Sequence, residues 1–375
     1  MVIGHEGIVV FLVSLAGCAL LYWTKNLHLG RSARGHSGGA VQSAHGNPTP
    51  RIGGVAIGGA LVVSLFFAPT SMLDNYGPFV ISLTPVFLAG LADDLGYHVP
   101  PWSRLMAAAL SSILAIALLQ MWIPRVDIPY VDALVAYAPV GILLTIFATS
   151  GVCNAFNLID GLNGLSAGTG VMVAVGIAAI AHAGGDPNFV QLSILLVGAL
   201  AGFLIFNFPL GKLFLGDAGA YSLGHILAWF AILAVNRIPD VTVWALLLVF
   251  FWPVADTLFA IYRRTRSGHK LDQPDRLHYH QFVMRALEIA WLGRGKRHIS
   301  NPLATLVMMP LIAMPVLVGV LLWDQPLLSF IAVLVFALLF VGSYMLGIRF
   351  AAARRGRFRS GSLPRPSPGK ESHSV

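Results

Sequence analysis

Long apolar runs constrain this chain more than any other feature of its sequence. A run of about 20 apolar residues can cross the hydrocarbon core of a bilayer as a helix, because a helix satisfies its backbone polar groups internally. Of the 375 residues, 57% are hydrophobic and only 11% are charged, which is too little polar surface for a soluble protein of this length. The sequence therefore predicts an all-α integral membrane protein with about eleven transmembrane helices. The expected spans are 6–24, 52–70, 77–92, 102–121, 132–150, 164–182, 188–207, 218–236, 241–262, 301–323 and 327–348.

The distribution of basic residues predicts the orientation of these helices, because cytoplasmic loops of membrane proteins are enriched in Lys and Arg. With the N-terminus outside, all 24 Lys and Arg except Arg125 and Arg237 fall in inner segments. The C-terminus is then cytoplasmic, and three long segments, 25–51, 93–101 and 263–300, are on the same side. The net charge of +8 accordingly reflects topology and contact with inner-leaflet lipids, and we expect no nucleic-acid partner.

The chain shows neither a linker between folded halves nor an internal repeat. We expect one polytopic membrane domain over 1–350, with cytoplasmic catalytic loops, and a disordered basic cytoplasmic tail over 351–375. Alternating apolar residues in the outer segment 121–131 predict a small hairpin.

The acidic residues separate into scattered outer loop charges and an inner group that lies in short polar motifs. The inner group includes Asp93, Asp94, Asp160 and Asp217. Adjacent carboxylates need a cation or a base nearby if both are to stay ionised. Oxygen ligands without a Cys/His cage suit Mg²⁺ or Mn²⁺. Asp256, inside the ninth span, is either a structural partner for a basic residue at the helix end or faces the active cavity.

The segment 151–168, GVCNAFNLIDGLNGLSAG, is the most specific motif. Asn154, Asn157, Asp160 and Asn163 recur every three residues. On a helical turn such a row places oxygens and amides along one face, where they can coordinate a metal on a diphosphate and bind a base or sugar. A helix cap explains one or two of these residues but not all four.

Two further motifs come before helices. FLGDAG at 214–219 combines small residues with a helix N-terminus, which favours phosphate binding, and Asp217 can hold a bridging metal. NPTPRIGG at 47–54 offers Thr49 and Arg51 to a phosphate or ribose.

A third motif, DRLHYHQ at 275–281, lies in a loop rich in Lys and Arg. Arg276, His278 and His280 can bind a diphosphate as charge-assisted donors. Their position beside the membrane favours this role over an ordinary surface location.

With these motifs and the Asp pair in order, from about Pro48 to about Gln281, the chain resembles the polyprenyl-phosphate N-acetylhexosamine-1-phosphate transferases. The resemblance implies that a UDP-N-acetylamino sugar and undecaprenyl phosphate give undecaprenyl-diphospho-sugar and UMP, the first membrane step of a cell-surface glycan. It also implies a multi-pass protein of the cell membrane with a cytoplasmic active site, surrounded by membrane lipids. A homodimer is possible.

The resemblance further implies roles for individual residues. Asp217 and Asn157 would hold Mg²⁺, with Mn²⁺ as a possible substitute. Asp93 and Asp94 would position or deprotonate the attacking lipid phosphate. The remaining matched positions would contact substrate: Asn154, Asp160 and Asn163 on the uridine side, Arg276, His278 and His280 at the phosphate and sugar, and Arg104 near the phosphates.

The chain departs from the family pattern at two positions. Asn163 stands where many bacterial members have Asp, and Gln281 stands where the histidine run often continues. The second departure disfavours a MurNAc-pentapeptide substrate, so we expect a GlcNAc-like sugar. A transporter is the alternative function, although it would place polar residues at mid-membrane in broken helices. The DGxxAR…GxxxD spacing of CDP-alcohol phosphotransferases is absent.

Overall fold

The computed structural model describes residues 5–27, 49–267, 277–293 and 295–360, and no strand occurs within them. The short helices Leu65–Phe67 and Thr70–Met72 are 3-10, and Glu288–Leu292 is a π-helical turn. The α-helices are α1 His5–Trp23, α2 Gly53–Ser64, α3 Leu73–Ser82, α4 Thr84–Asp94, α5 Pro101–Leu119, α6 Val131–Val135, α7 Ala138–Ile159, α8 Leu165–Ala183, α9 Pro187–Asn207, α10 Gly216–Arg237, α11 Val243–Val249, α12 Phe251–Ser267, α13 Tyr279–Leu287, α14 Arg297–Leu321 and α15 Pro326–Ser360.

The helices confirm an all-α membrane protein. Within the described ranges, nine helical segments are long and apolar enough to cross a bilayer, one of them formed by α3 and α4 together. The pair α11–α12 could form a tenth, although it is bent by 82°, and the apolar helix Gly53–Phe67 is shorter. Each of the expected spans corresponds to one of these segments. The count of eleven and the orientation remain predictions.

Helix α10 forms the core of the bundle and packs against α2, α4, α7 and α8. Glycines permit this packing. A Cβ on Gly90 would lie 2.5 Å from Ala218 Cα, and a Cβ on Gly54 would lie 2.6 Å from Gly219 Cα. Because small residues let helix backbones approach closely in a membrane, α2 and α4 both contact the first turn of α10. This contact brings their terminal side chains to one end of the bundle.

The C-terminal part of the chain is described as far as Ser360. The chain divides into two compact units, one ending at Leu334 and the other beginning at Val335. The expected tail over 351–375 remains a prediction, and helix α15 continues to Ser360 through residues 351–360. Their Ala and Arg residues are strong helix formers, which accounts for the extension. The predicted disorder of 361–375 falls outside the described residues.

The predicted hairpin at 121–131 is wrong, because this segment bonds to another loop and contains no strand. Arg125 donates to the carbonyl oxygen of Val241 at 2.6 Å. Asp127 accepts from the backbone N–H of Val243, also at 2.6 Å. The polar groups thus connect 121–131 to Val241 and to the first residue of α11.

Candidate active site

The segment before α2 is hydrogen-bonded through its backbone to the loop before α10. Gly216, the first residue of α10, has φ +75°, and a Cβ there would overlap the backbone oxygen of Arg51, so both its conformation and its surroundings require glycine. The NPTPRIGG and FLGDAG motifs are therefore adjacent in space. Three backbone hydrogen bonds join them: Phe214 N–H to Pro50 O at 2.9 Å, Gly53 N–H to Phe214 O at 2.9 Å and Gly54 N–H to Leu215 O at 2.8 Å.

Asp94 holds the start of α10. It is the last residue of α4, and its side chain is fully buried. Its Oδ1 accepts from the backbone N–H of Asp217 and its Oδ2 from that of Ala218, each at 2.9 Å. A carboxylate in this position satisfies two backbone donors and lies at the positive end of the helix dipole. Asp94 therefore caps α10 from a neighbouring helix.

Asp217 is the centre of the charged cluster. Its Oδ1 accepts from Asn157 Nδ2 at 3.1 Å and from Arg51 Nη2 at 3.2 Å. Its Oδ2 forms an ion pair with Arg104, whose Nη1 also lies 3.2 Å from Asp93 Oδ2. The Asp217 side chain is only 4% exposed. Two guanidinium groups and an amide thus surround one nearly buried carboxylate.

Asp93 is more exposed than Asp94 and has different hydrogen-bond partners. Its side chain is 12% exposed, its Oδ1 accepts from the backbone N–H of Val99 at 3.0 Å, and its Oδ2 faces Arg104. Successive residues of a helix point about 100° apart. One acid therefore turns toward α10 and the other toward the open side of the cluster.

The polar row of 154–163 is only partly maintained. Helix α7 ends at Ile159, so Asn154 and Asn157 share one face and Asp160 follows as the C-terminal cap. Burial raises the pKa of the Asp160 carboxyl to about 8, although the nearby Arg51 opposes this shift.

Asn163 is held by the protein itself. Its Nδ2 donates to Pro209 O at 2.8 Å, and its side chain is nearly buried. Its backbone N–H donates to Asn301 Oδ1 at 2.8 Å, and its backbone oxygen accepts from Thr305 Oγ1 at 2.7 Å. These bonds fix the turn between α7 and α8 and give no support to the expected uridine contact of Asn163.

The histidine motif lies against α12. His278 Nδ1 is 2.9 Å from Asp256 Oδ2, and the backbone N–H of Tyr279 donates to Asp256 Oδ1 at 3.0 Å. His280 is buried, and a Cβ on Gly161 would lie 2.9 Å from its Nε2. The His280 ring therefore rests on the turn that follows α7. Burial lowers the pKa of His280 to about 4, so its imidazole is neutral at pH 7.

Two of the expected site residues lie at or beyond the limits of the described segments. Two contacts were not expected from the sequence. Thr49 begins the described segment before α2, and Arg276 lies outside the described residues. The pairing of His278 with Asp256 was not predicted. Asn207 was also missed, although it accepts from the backbone N–H of Gly164 at 2.6 Å and donates to Leu213 O at 2.9 Å. An Asn at the end of an otherwise apolar helix was the available signal.

The side chains of the cluster suit Mg²⁺ better than a structural zinc ion. Asp93, Asp217 and Asn157 supply the oxygen atoms that hard cations prefer. Over the described ranges, no group of three or more His, Cys, Asp or Glu side chains is arranged to hold a metal ion. Mg²⁺ commonly takes one or two carboxylates together with waters and substrate phosphates, so it does not require a complete protein cage.

Known proteins are similar to this chain over much of its length. Residues 76–235 match the family Glycosyl transferase family 4. The chain is 32% identical over 275 residues to decaprenyl-phosphate N-acetylglucosaminephosphotransferase of Mycobacterium tuberculosis, covering 65% of this chain and 67% of that protein. It is 28% identical over 251 residues to a probable undecaprenyl-phosphate N-acetylglucosaminyl 1-phosphate transferase of Bacillus subtilis, covering 65% and 68%. It is also 30% identical over 289 residues to phospho-N-acetylmuramoyl-pentapeptide-transferase of Heliobacterium modesticaldum, covering 71% and 84%. The chain thus belongs to glycosyl transferase family 4, the polyprenyl-phosphate N-acetylhexosamine-1-phosphate transferases.

Proposed function

We propose that this protein transfers an N-acetylamino-sugar 1-phosphate from a UDP-sugar to undecaprenyl phosphate and releases UMP. The supporting observation is the cluster of Asp93, Asp217, Asn157, Arg51 and Arg104 at one end of the bundle. Relatives named for N-acetylglucosamine transfer to decaprenyl or undecaprenyl phosphate support a GlcNAc-like sugar and a polyprenyl acceptor.

The reaction exchanges one phosphorus–oxygen bond for another. An oxygen of the lipid phosphate attacks the phosphorus that carries the sugar. The bond from that phosphorus to the bridging oxygen breaks, and UMP leaves with the electron pair. Such transfers depend mainly on alignment and on stabilising negative charge. In the structure, Arg51 and Arg104 pair with carboxylates. Their guanidinium groups can also bind phosphate oxygens of the substrates.

The two adjacent acids would have separate roles. A monoester phosphate has a second pKa near 6, so little proton removal is needed at neutral pH. Asp93, on the open side of the cluster, would orient the lipid phosphate through Arg104. Asp94 would act through α10, because both of its oxygens accept backbone N–H groups.

Mg²⁺, with Mn²⁺ as a possible substitute, would be held by Asp217 and Asn157, and when bound it neutralises charge on the diphosphate. Asn154 and Asp160 would contact the uridine side, and His278 and His280 the phosphate and sugar. Thr49, Arg276 and Asn163 are the remaining candidates for substrate contacts. The site would face the cytoplasm of a cell-membrane protein, as the basic residues indicate.

The test is UMP release from a panel of UDP-N-acetylamino sugars supplied with undecaprenyl phosphate and Mg²⁺. Asp217→Ala should abolish release, because it removes the central carboxylate. Asp324→Ala, which changes an exposed turn residue, should release UMP at the wild-type rate. If wild-type protein released no more UMP than Asp217→Ala with any sugar on the panel, the proposed function would be wrong.

A further inference from the structure

Asp256 is a buried acid that the proposed chemistry leaves without a role. It lies within α12, and its side chain is 3% exposed. One carboxylate oxygen is 2.9 Å from His278 Nδ1, and the other accepts the backbone N–H of Tyr279 at 3.0 Å. Both contacts reach the start of α13, more than twenty positions away in sequence. A single side chain thus fixes where the histidine motif begins.

This contact determines which nitrogen of His278 is available. A carboxylate only accepts, so the proton of the hydrogen bond belongs to Nδ1 of the imidazole. Nε2 of His278 is then the free ring atom, and it is buried without a hydrogen-bond partner among the described residues. Buried polar atoms are normally paired. An unpaired Nε2 at this position indicates a ligand atom that completes it.

His280 extends the same arrangement toward the active-site turn. Its ring stacks on that of His278, with centroids 5.7 Å apart and planes 15° from parallel. Its Nδ1 lies 3.9 Å from Asp256 Oδ2, and its Nε2 approaches Gly161. In the described part of the chain, neither ring nitrogen has a hydrogen-bond partner. The two rings therefore connect Asp256 to the turn beside Asp160.

We propose that Asp256 is a positioning residue for the transfer reaction, which fixes the tautomer of His278 and holds the His278–His280 pair over the turn at Gly161. Nε2 of His278 then contacts a diphosphate or sugar oxygen of the nucleotide sugar. Asp256 itself touches no substrate. This inference rests on the proposed function. Groups that orient a metal-ligating histidine commonly contribute about 10–100-fold to activity, and we expect an effect of the same order for a histidine that orients on a substrate oxygen.

The test is a double-mutant cycle with purified protein, measured as UMP release against nucleotide-sugar concentration. Asp256→Asn keeps an oxygen for Tyr279 but can present an amide N–H to His278, which favours the wrong tautomer. It should lower kcat/KM for the UDP-sugar about 10–100-fold and leave KM for the lipid phosphate unchanged. Because Asp256 acts through His278, the same change in the His278→Gln background should cost less than about threefold further.

A control and a second variant separate positioning from general destabilisation. Ser300→Ala removes a buried hydrogen bond to Glu288 Oε1 at 3.1 Å, which connects the π-helical turn after α13 to α14. Ser300→Ala should leave kcat/KM for the UDP-sugar and KM for the lipid phosphate unchanged. If Asp256→Asn fails to fold, Asp256→Glu retains the charge on a longer arm, and the cycle is run with that variant.

The experiment separates failure of the positioning role from failure of the proposed function. Losses that multiply in the double mutant, or wild-type kinetics in Asp256→Asn, would overturn the inference while leaving the proposed function intact. A wild-type protein that releases no UMP contradicts the proposed function itself.

Discussion

Adjacent carboxylates on α4 should give opposite results when each is neutralised. In Asp94→Asn, one of the two oxygens that accept the N–H groups of Asp217 and Ala218 is replaced by an amide nitrogen, which donates and cannot accept. In Asp93→Asn, the remaining oxygen can still accept from the N–H of Val99. We therefore expect Asp94→Asn to reduce stability and Asp93→Asn to reduce activity alone.

The magnitude follows from the hydrogen bonds that Asp94 accepts at the start of α10. A hydrogen bond to a charged group contributes about 1.5–3 kcal/mol, and a charge at a partly buried helix terminus contributes up to about 2 kcal/mol. Removing the desolvation cost of the buried carboxylate offsets part of this. The net destabilisation by Asp94→Asn should be about 2–4 kcal/mol. Neutralising Asp93 should cost only about 1 kcal/mol, because Arg104 keeps its pairing with Asp217 and the amide oxygen in Asp93→Asn can still accept from the N–H of Val99.

The assay is thermal unfolding in detergent, followed by tryptophan fluorescence, beside UMP release. Asp94→Asn should melt about 3–5 °C below wild type, because the unfolding entropy of a chain of this length converts about 2–4 kcal/mol into a shift of that size. Asp93→Asn should melt within about 2 °C of wild type and still lose most of its activity. If Asp94→Asn melted like wild type, or if Asp93→Asn were the less stable of the two, the division of roles between them would be refuted.

Three further predictions concern packing, pH and the metal. Gly90→Ala should destabilise the fold by about 1–3 kcal/mol, since its Cβ would meet the backbone of Ala218, whereas Gly59→Ala, which faces open space, should melt like wild type. The pKa of His280 falls from 6.5 to about 4 through burial, so its contribution to stability is complete above pH 6.5 and is lost as the pH falls toward 4. His280→Asn should flatten melting temperature against pH in that window, and an unchanged profile would contradict this. Removal of divalent cations with EDTA should abolish UMP release, and added Mg²⁺ should restore it; activity that persists in EDTA would exclude the metal.

The meeting of the motifs could be predicted from the sequence. Helices that alternate in direction place the C-terminal ends of α4 and α7 and the N-terminal ends of α5 and α10 at one boundary. Polar residues at those ends, such as Asp93, Arg104 and Asp217, then converge. Hydropathy and motif order were enough for this conclusion.

The contacts of individual side chains could not be predicted from the sequence. The spacing of three suggests that Asn163 continues the row of Asn154 and Asn157, but α7 ends at Ile159 and Gly164 adopts φ +76°. The turn therefore directs Asn163 into protein contacts. Likewise, which of two adjacent acids faces α10 depends on the rotation of α4, which is set by packing at Gly90. Asp256 and His278 meet only through the tertiary fold, and their spacing in the sequence gives no indication of this contact.

The ion pairing around Asp217 has a consequence for the order in which substrates bind. Asp93, Asp94 and Asp217 outnumber Arg51 and Arg104 by one, so the cluster retains negative charge when empty. In a poorly solvated site that charge repels a free nucleotide sugar, whereas the sugar's metal complex is close to neutral and meets little opposition. Initial rates should therefore follow the concentration of the metal–nucleotide complex. Free nucleotide sugar in excess over metal should be a poor competitor.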